Sequence, residues 1–118
     1  ITIDGGMADN IRPSLYGAEY DACIANKCNN DNEEVVTIAG KCCETGDVLI
    51  EDILLPKVET GDILAITCTG AYTYALSSNY NGIPRPAVIL VNDNEENIII
   101  KRENYKDLIR RDVIPSGY

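Results

Sequence analysis

A mainly β fold, closed into a small barrel, is predicted by three features of this sequence. Short runs rich in Ile, Val and Leu alternate with Gly, Asn and Asp punctuation along the whole chain. About seven such runs fit into 118 residues, and closing short strands into a barrel hides their sheet edges. Only one segment, near the C-terminus, carries the signals of a helix.

The strands are expected at Ile1 to Asp4, Tyr20 to Asn26, Glu34 to Ala39, Val48 to Leu55, Ile63 to Thr69, Ala87 to Asn92 and Asn97 to Arg102. Asn29-Asn30-Asp31-Asn32 and Asn92-Asp93-Asn94-Glu95 are turns, since short amides and carboxylates tolerate left-handed backbone. The second turn joins two apolar runs and predicts a hairpin. Tyr105 to Arg111 reads as a short helix, with Asn104 as N-cap and Asp107 reaching back in a capping box. One internal echo is present: Glu44-Thr45-Gly46-Asp47-Val48-Leu49 returns as Glu59-Thr60-Gly61-Asp62-Ile63-Leu64. Gly-Asp is a good entry turn for a strand, and the echo is read that way.

Bulk composition sets the limits. A chain of this length is one domain that buries roughly two-thirds of its unfolded surface, and 45% hydrophobic residues argue against disorder. Seven tyrosines carry all the aromatic surface, leaving the core to Ile, Leu, Val and Ala. A net charge of −9 argues against nucleic acid and anionic membrane as partners. No run approaches the roughly 18 apolar residues of a membrane span, and no signal segment is present. The chain opens on Ile1-Thr2-Ile3 without an initiator Met, which reads as a segment of a longer polypeptide. Five cysteines, an odd number, favour reduced thiols and a cytoplasmic setting. Without histidine or paired C-x-x-C knuckles, metal binding is not expected.

The chemistry-bearing residues are few. Cys43 sits beside Glu44, Arg12 precedes Pro13, and Tyr72 follows Gly70-Ala71, all in a chain with no histidine. A thiol, a carboxylate, a guanidinium and a phenol suit the binding of a zwitterionic, carboxylate-bearing small molecule and the delivery of a proton to it. Taken one at a time, the same residues have plainer readings. Cys43 is then an apolar cysteine beside another, Glu44 a surface acid, Arg12 an extended loop residue before proline, and Tyr72 a barrel-rim aromatic.

The strings around them are more specific. Asp4-Gly5-Gly6-Met7-Ala8-Asp9-Asn10-Ile11-Arg12-Pro13-Ser14-Leu15-Tyr16-Gly17-Ala18, Gly40-Lys41-Cys42-Cys43-Glu44-Thr45-Gly46-Asp47, Gly70-Ala71-Tyr72 and Ser78-Asn79-Tyr80-Asn81-Gly82, with Arg85-Pro86, stand in this order. Together they closely resemble the C-terminal domain of the diaminopimelate decarboxylases. These are pyridoxal-phosphate enzymes of the ornithine/diaminopimelate/arginine decarboxylase family. The resemblance implies a Greek-key-like β-barrel of the alanine racemase C-terminal-domain type, with a short C-terminal helix.

It also implies roles. Cys43 is expected to return a proton to the substrate; thiols ordinarily titrate near about 8.5, so they are protonated at neutral pH yet release the proton readily. The family string usually carries Ser where Thr45 stands, and the hydroxyl is kept. Cys42 is expected to face away from Cys43, because neighbours alternate on an extended chain. Glu44 would pair with the substrate's distal ammonium. Arg12 would grip the distal carboxylate through its planar fork, helped by the Tyr16 hydroxyl. Tyr72 would lie by the cofactor phosphate and the substrate, and Tyr80 would line the pocket. Asp4, Gly5 and Gly6 are assigned structure only.

The cofactor lysine and the phosphate loop would belong to an N-terminal (β/α)8 barrel that this chain lacks. None of Lys27, Lys41, Lys57, Lys101 and Lys106 sits in a comparable context. The chain alone is therefore expected to be inactive, and the resemblance implies a homodimer with shared active sites. Three other readings stay open at this level. An ornithine- or arginine-type decarboxylase would carry Cys-Asp in place of Cys43-Glu44. A non-catalytic barrel for dimerisation or regulation and a thiol-redox module are the others, the last weakened by the strain of bridging adjacent cysteines.

Overall fold

The computed structural model describes residues 1–117. Contacts divide the chain into two compact units, Ile1–Ser77 and a second that begins at Ser78. The first holds helix α1 (Arg12–Tyr16), strands β1 (Ala22–Ile24), β2 (Glu34–Ala39), β3 (Val48–Leu55) and β4 (Leu64–Ile66), and helix α2 (Thr73–Leu76). The second holds β5 (Val88–Asn92), β6 (Glu95–Ile100) and α3 (Tyr105–Ile109).

Every ladder is antiparallel: β1 with β4, β2 with β3, and β5 with β6. The fold is mainly β, as expected, but among the described residues these are three separate two-stranded sheets, with no ladder joining them into a barrel. The strand expected at Ile1 to Asp4 is only a parallel bridge between Thr2 and Ala39. The run from Tyr20 to Asn26 is cut short by a 3-10 turn over Ala25–Lys27. That from Ile63 to Thr69 ends before Cys68, whose φ of 57° is incompatible with a strand.

Strands β2 and β3 match their predicted bounds. Their register slips by one residue between Val36 and Ile38 and again between Ile38 and Ala39, each time with the extra residue on β3. These are β-bulges, and Asp52 takes a φ of 51° in the first of them. Ile24, Ile38, Leu49 and Leu55 are fully or nearly buried and form the core with Ala22. Ile3, Val36, Ile50, Ile53, Leu64 and Ile66 pack around them.

Helix α1 was not expected, because the residue before a proline is biased toward extended backbone. Pro13 lies in the helix's first turn, where its missing N–H costs nothing. Gly17, at φ 61°, ends the helix in the left-handed region and donates its N–H to Pro13 O. Asn10 Oδ1 accepts from the Arg12 N–H at 3.3 Å and holds the entry.

The buried Asp47 carboxylate joins the two glycine-rich segments. Its Oδ1 accepts from the Met7 N–H and its Oδ2 from the Cys42 N–H, each at 2.6 Å. Lys41 N donates to Gly5 O alongside. The approach is close enough that a Cβ on Gly6 would lie 2.8 Å from Asp47 Oδ2. Asp62, the counterpart of Asp47 in the echo, is a second hub. It accepts from Lys27 Nζ at 2.7 Å, Asn26 Nδ2 at 2.8 Å and Glu59 N at 2.8 Å. Lys27 also reaches Glu59 at 3.2 Å. The echo therefore repeats a turn in which the Asp N–H bonds the carbonyl three residues back, Glu44 in one copy and Glu59 in the other.

In the second unit, the tip residues Asp93 and Asn94 have φ of 47° and 66°. Two successive left-handed residues are what a two-residue hairpin turn demands. The capping box of α3 is present, with Asn104 accepting from Lys106 N and Asp107 from Asn104 N. Arg85 Nη1 bonds Glu103 Oε1 at 3.1 Å and Asn79 Oδ1 at 2.9 Å, which ties the Asn79–Gly82 turn to the chain after β6. The Arg85 N–H and the Asn79 amide hold the Glu103 carboxyl below its ordinary value.

Two stability outcomes follow. Asp47→Ala leaves two backbone N–H groups without an acceptor, at about 1–3 kcal/mol each. Urea unfolding is expected to register a loss of about 2–6 kcal/mol, and an unchanged midpoint would remove Asp47 as the joining group. The second outcome concerns acid. The hydrogen bond from Lys27, then that from Asn26, lowers the Asp62 carboxyl from 3.8 to about 2. A depressed carboxyl contributes stability above its unfolded pKa and loses it as pH falls toward the folded one. The gap in thermal midpoint between the native protein and Asp62→Asn should be nearly full above about pH 4 and be lost as pH falls through about 2.

Candidate functional site

The expected site residues divide between helix ends and one irregular loop. Arg12 opens α1 and is half-buried, while Tyr16 closes it and is 63% exposed. Cys43 and Glu44 lie in the bent segment between β2 and β3, both exposed, just where Asp47 fastens the chain. Tyr72 immediately precedes α2 and is also exposed.

Arg12 and Tyr72 are brought together: the guanidinium carbon lies 5.5 Å from the ring centroid, within cation–π range. Arg12 Nη1 also donates to Tyr20 Oη at 3.2 Å. Tyr16, expected to share the work of Arg12, makes no side-chain hydrogen bond among the described residues. The phenol that holds the arginine is Tyr20. No carboxylate of the described residues pairs with Arg12, although the chain carries 19 Asp and Glu.

Glu44 Oε1 accepts from Thr45 Oγ1 at 3.1 Å and Gly46 N at 3.3 Å, so this carboxylate shapes its own turn. The Ser14 hydroxyl crowds Gly46, where a Cβ would come within 2.8 Å of Ser14 Oγ. That contact sets α1 beside the loop of Cys43. Cys42 and Cys43 differ in exposure as expected, but not through strand alternation, since Lys41 to Glu44 is a series of bends. Cys42 is turned inward. Burial pushes its thiol pKa up, against the Ala8 N–H that donates to it.

Two clefts of about 790 and 530 Å³ lie in the first unit, and neither is lined by Arg12, Cys43, Glu44 or Tyr72. The larger runs along β3 and touches the site only through neighbours such as Ser14, Tyr20, Thr45 and Gly46. The site is an open surface. Sequence reasoning missed Tyr20, for which no motif spoke, and Asp47, whose signal was the echo.

The family model of the pyridoxal-dependent decarboxylase C-terminal sheet domain matches residues 1–70, well over half of the chain. The chain belongs to this family. Among relatives, the diaminopimelate decarboxylase of Bacillus subtilis is 53% identical over 113 residues, covering 96% of this chain and 26% of that protein. The crystal structure of diaminopimelate decarboxylase from M. jannaschii in co-complex with L-lysine superposes with a TM-score of 0.88 at 43% identity, covering 97% of this chain and 26% of that one. A lysine decarboxylase from Selenomonas ruminantium matches less well, at a TM-score of 0.59 and 25% identity over 70% of this chain and 22% of that one. The chain thus spans about a quarter of the length of the diaminopimelate decarboxylases it matches. No helix of the described residues is long and apolar enough to cross a membrane.

The two cysteines give a sharp test within this family. If Cys43 is the proton donor of an intact decarboxylase, Cys43→Ala should lower kcat there by about 10²–10⁴-fold with little change in KM, as loss of a general acid does. Cys42→Ala, facing inward, should leave kcat within a few-fold. Steady-state kinetics on both variants checks this, and exchanged phenotypes would move the proton donor to Cys42.

Proposed function

We propose that residues 1–118 are the C-terminal domain of a diaminopimelate decarboxylase, which converts meso-2,6-diaminopimelate to L-lysine and carbon dioxide. The observation that carries this reading is Arg12. A half-buried guanidinium, in contact with a phenol and an aromatic ring and paired with no acid among the described residues, suits a receptor for an anion from outside the domain. Diaminopimelate has a distal carboxylate, whereas ornithine, arginine and lysine do not. The better superposition on the diaminopimelate enzymes than on the lysine decarboxylase supports the same choice.

The remaining roles follow from the side chains present. Glu44 would pair with the distal ammonium, Tyr16 would assist Arg12, and the exposed Cys43 thiol would hold the proton to be returned to the substrate α carbon. Tyr72 fits the rim of a cofactor site, with a phenol suited to a phosphate oxygen. Lys27 does not fit as the cofactor's covalent anchor, because its ammonium is held by Asp62 and Glu59. Pyridoxal phosphate, when bound, supplies the electron sink for loss of carbon dioxide. Its lysine and phosphate loop would come from an N-terminal (β/α)8 domain.

An open site on one domain needs walls from elsewhere, and the reading supplies them. The N-terminal domain and a second subunit would cover it, with Cys43 and Glu44 serving the partner's cofactor and Tyr72 its own. In the second unit the β5–β6 hairpin leaves Ile89, Leu90, Ile98 and Ile99 exposed, an apolar face suited to cover by another part of the assembly. A Greek-key-like closed barrel in the intact enzyme and a cytoplasmic location belong to the same proposal.

The test is one of charge. Arg12→Ala leaves the distal carboxylate desolvated without its partner, a loss of about 2–5 kcal/mol. In the full-length enzyme, kcat/KM for diaminopimelate is expected to fall by about 100-fold or more. Turnover of lysine, which lacks that carboxylate, should be weak beforehand and hardly changed. Equal losses on both substrates would return the domain to the ornithine-type reading.

A further inference from the structure

We infer that Tyr20 is a specificity-determining positioning residue, whose hydroxyl orients the Arg12 guanidinium for two-point capture of a carboxylate. The inference rests on the reading of Arg12 as the receptor for the distal carboxylate. It adds a residue that no motif of the sequence singled out.

A free arginine side chain loses considerable rotamer freedom when it grips a ligand, and that loss weakens binding unless it has been met in advance. Arg12 meets it at three points. Asn10 Oδ1 takes its backbone N–H at 3.3 Å, Tyr20 Oη takes Nη1 at 3.2 Å, and the Tyr72 ring lies against Cζ at 5.5 Å. The first fixes the stem and the last fixes the distance of the guanidinium from a flat surface. A ring contact sets little of the guanidinium's orientation, and among the described residues the bond to Tyr20 is its one directional side-chain contact. With Nη1 so engaged, the edge formed by Nε and Nη2 makes no hydrogen bond among the described residues. That edge has the spacing of a carboxylate's two oxygens.

Tyr20 is itself well held. It is half-buried and directly precedes Asp21, whose carbonyl accepts the Thr67 N–H at 2.9 Å and whose carboxylate takes the Ala22 N–H at 2.9 Å. The phenol therefore stands on the chain leading into the β1–β4 ladder, two residues before Ala22, whereas Arg12 stands on α1. The bond between them passes the order of the sheet to a side chain on a five-residue helix.

The experiment uses the full-length, cofactor-loaded enzyme with diaminopimelate as substrate. Tyr20→Phe keeps the ring and removes only the hydroxyl, and its thermal midpoint is measured beside the native enzyme. Expected is a rise in KM of about 5–20-fold with kcat within about twofold, because orientation of a distal group is a binding task. In an Arg12→Lys background, which cannot offer the two-point edge, the same change should add less than about twofold. Native KM in Tyr20→Phe, or equal effects of the change in both backgrounds, overturns the role of Tyr20 while leaving Arg12 in place. A fall in kcat with KM unchanged overturns it as well, since it would put the hydroxyl in the chemistry. If Arg12→Ala also leaves kcat/KM for diaminopimelate unaltered, the reading of the site fails along with the inference.

Discussion

The Asp47 carboxylate is the constraint on which the candidate site depends. One end of the site enters from Gly5-Gly6-Met7 and runs on into α1 and Arg12. The other leaves β2 through Gly40 and passes Cys42 before Cys43 and Glu44. The Thr2–Ala39 bridge and the Lys41 N–Gly5 O bond bring these stretches side by side, and two short hydrogen bonds from Met7 N and Cys42 N tie both to one buried side chain. A buried carboxylate persists only where donors replace its lost water, and here the donors are backbone groups of both loops. The glycines beside it follow from the same geometry, because a Cβ on Gly6 would strike the carboxylate oxygens.

Legibility in the sequence followed the range of the interaction. β2 and β3 were readable to the residue, since alternating apolar runs bounded by Gly and Asp report local backbone preference. So were the turn at Asp93-Asn94 and the capping box of α3, both settled within four residues. Helix α1 was lost because Arg-Pro reads as extended, although Pro is equally at home in a first turn. The barrel was inferred from strand count, and strand count carries no information on which edges pair. Of the site, Arg12 and Tyr72 were named from a family likeness for separate tasks, and their contact could not have been foreseen across 59 intervening positions. Cys42 and Cys43 do part in exposure, but through bends and a tie to Asp47, not through the pleat of a strand.

The echo shows how a composition signal can be read too blandly. Gly-Asp before a strand suggested a turn former and nothing more. Asp47 and Asp62 are both hubs, each bonded to groups distant in sequence as well as to its own turn. They differ in what they hold. Asp62 meets a cation and two amide or backbone donors, and the hydrogen bond from Lys27, then that from Asn26, lowers its pKa. Asp47 meets two backbone N–H groups and the Cys42 thiol and lies almost fully buried. The first secures the approach to β4, and the second secures the approach of two site loops.

A chain with an excess of carboxylates has a simple way of selecting against anions and a harder task in accepting one. Its long-range field repels a carboxylate-bearing ligand, and only a local cation with no internal acid can reverse the sign. Arg12 meets that condition because its neighbours are phenols, which give it contact without cancelling its charge. An aspartate at position 20 would hold the guanidinium more strongly and would also occupy it. Tyrosine accepts one N–H and leaves the charge intact. The aromatic economy of the sequence, seven tyrosines with no Phe or Trp, acquires a physical sense at this point, where the ring supports the cation and the hydroxyl aims it.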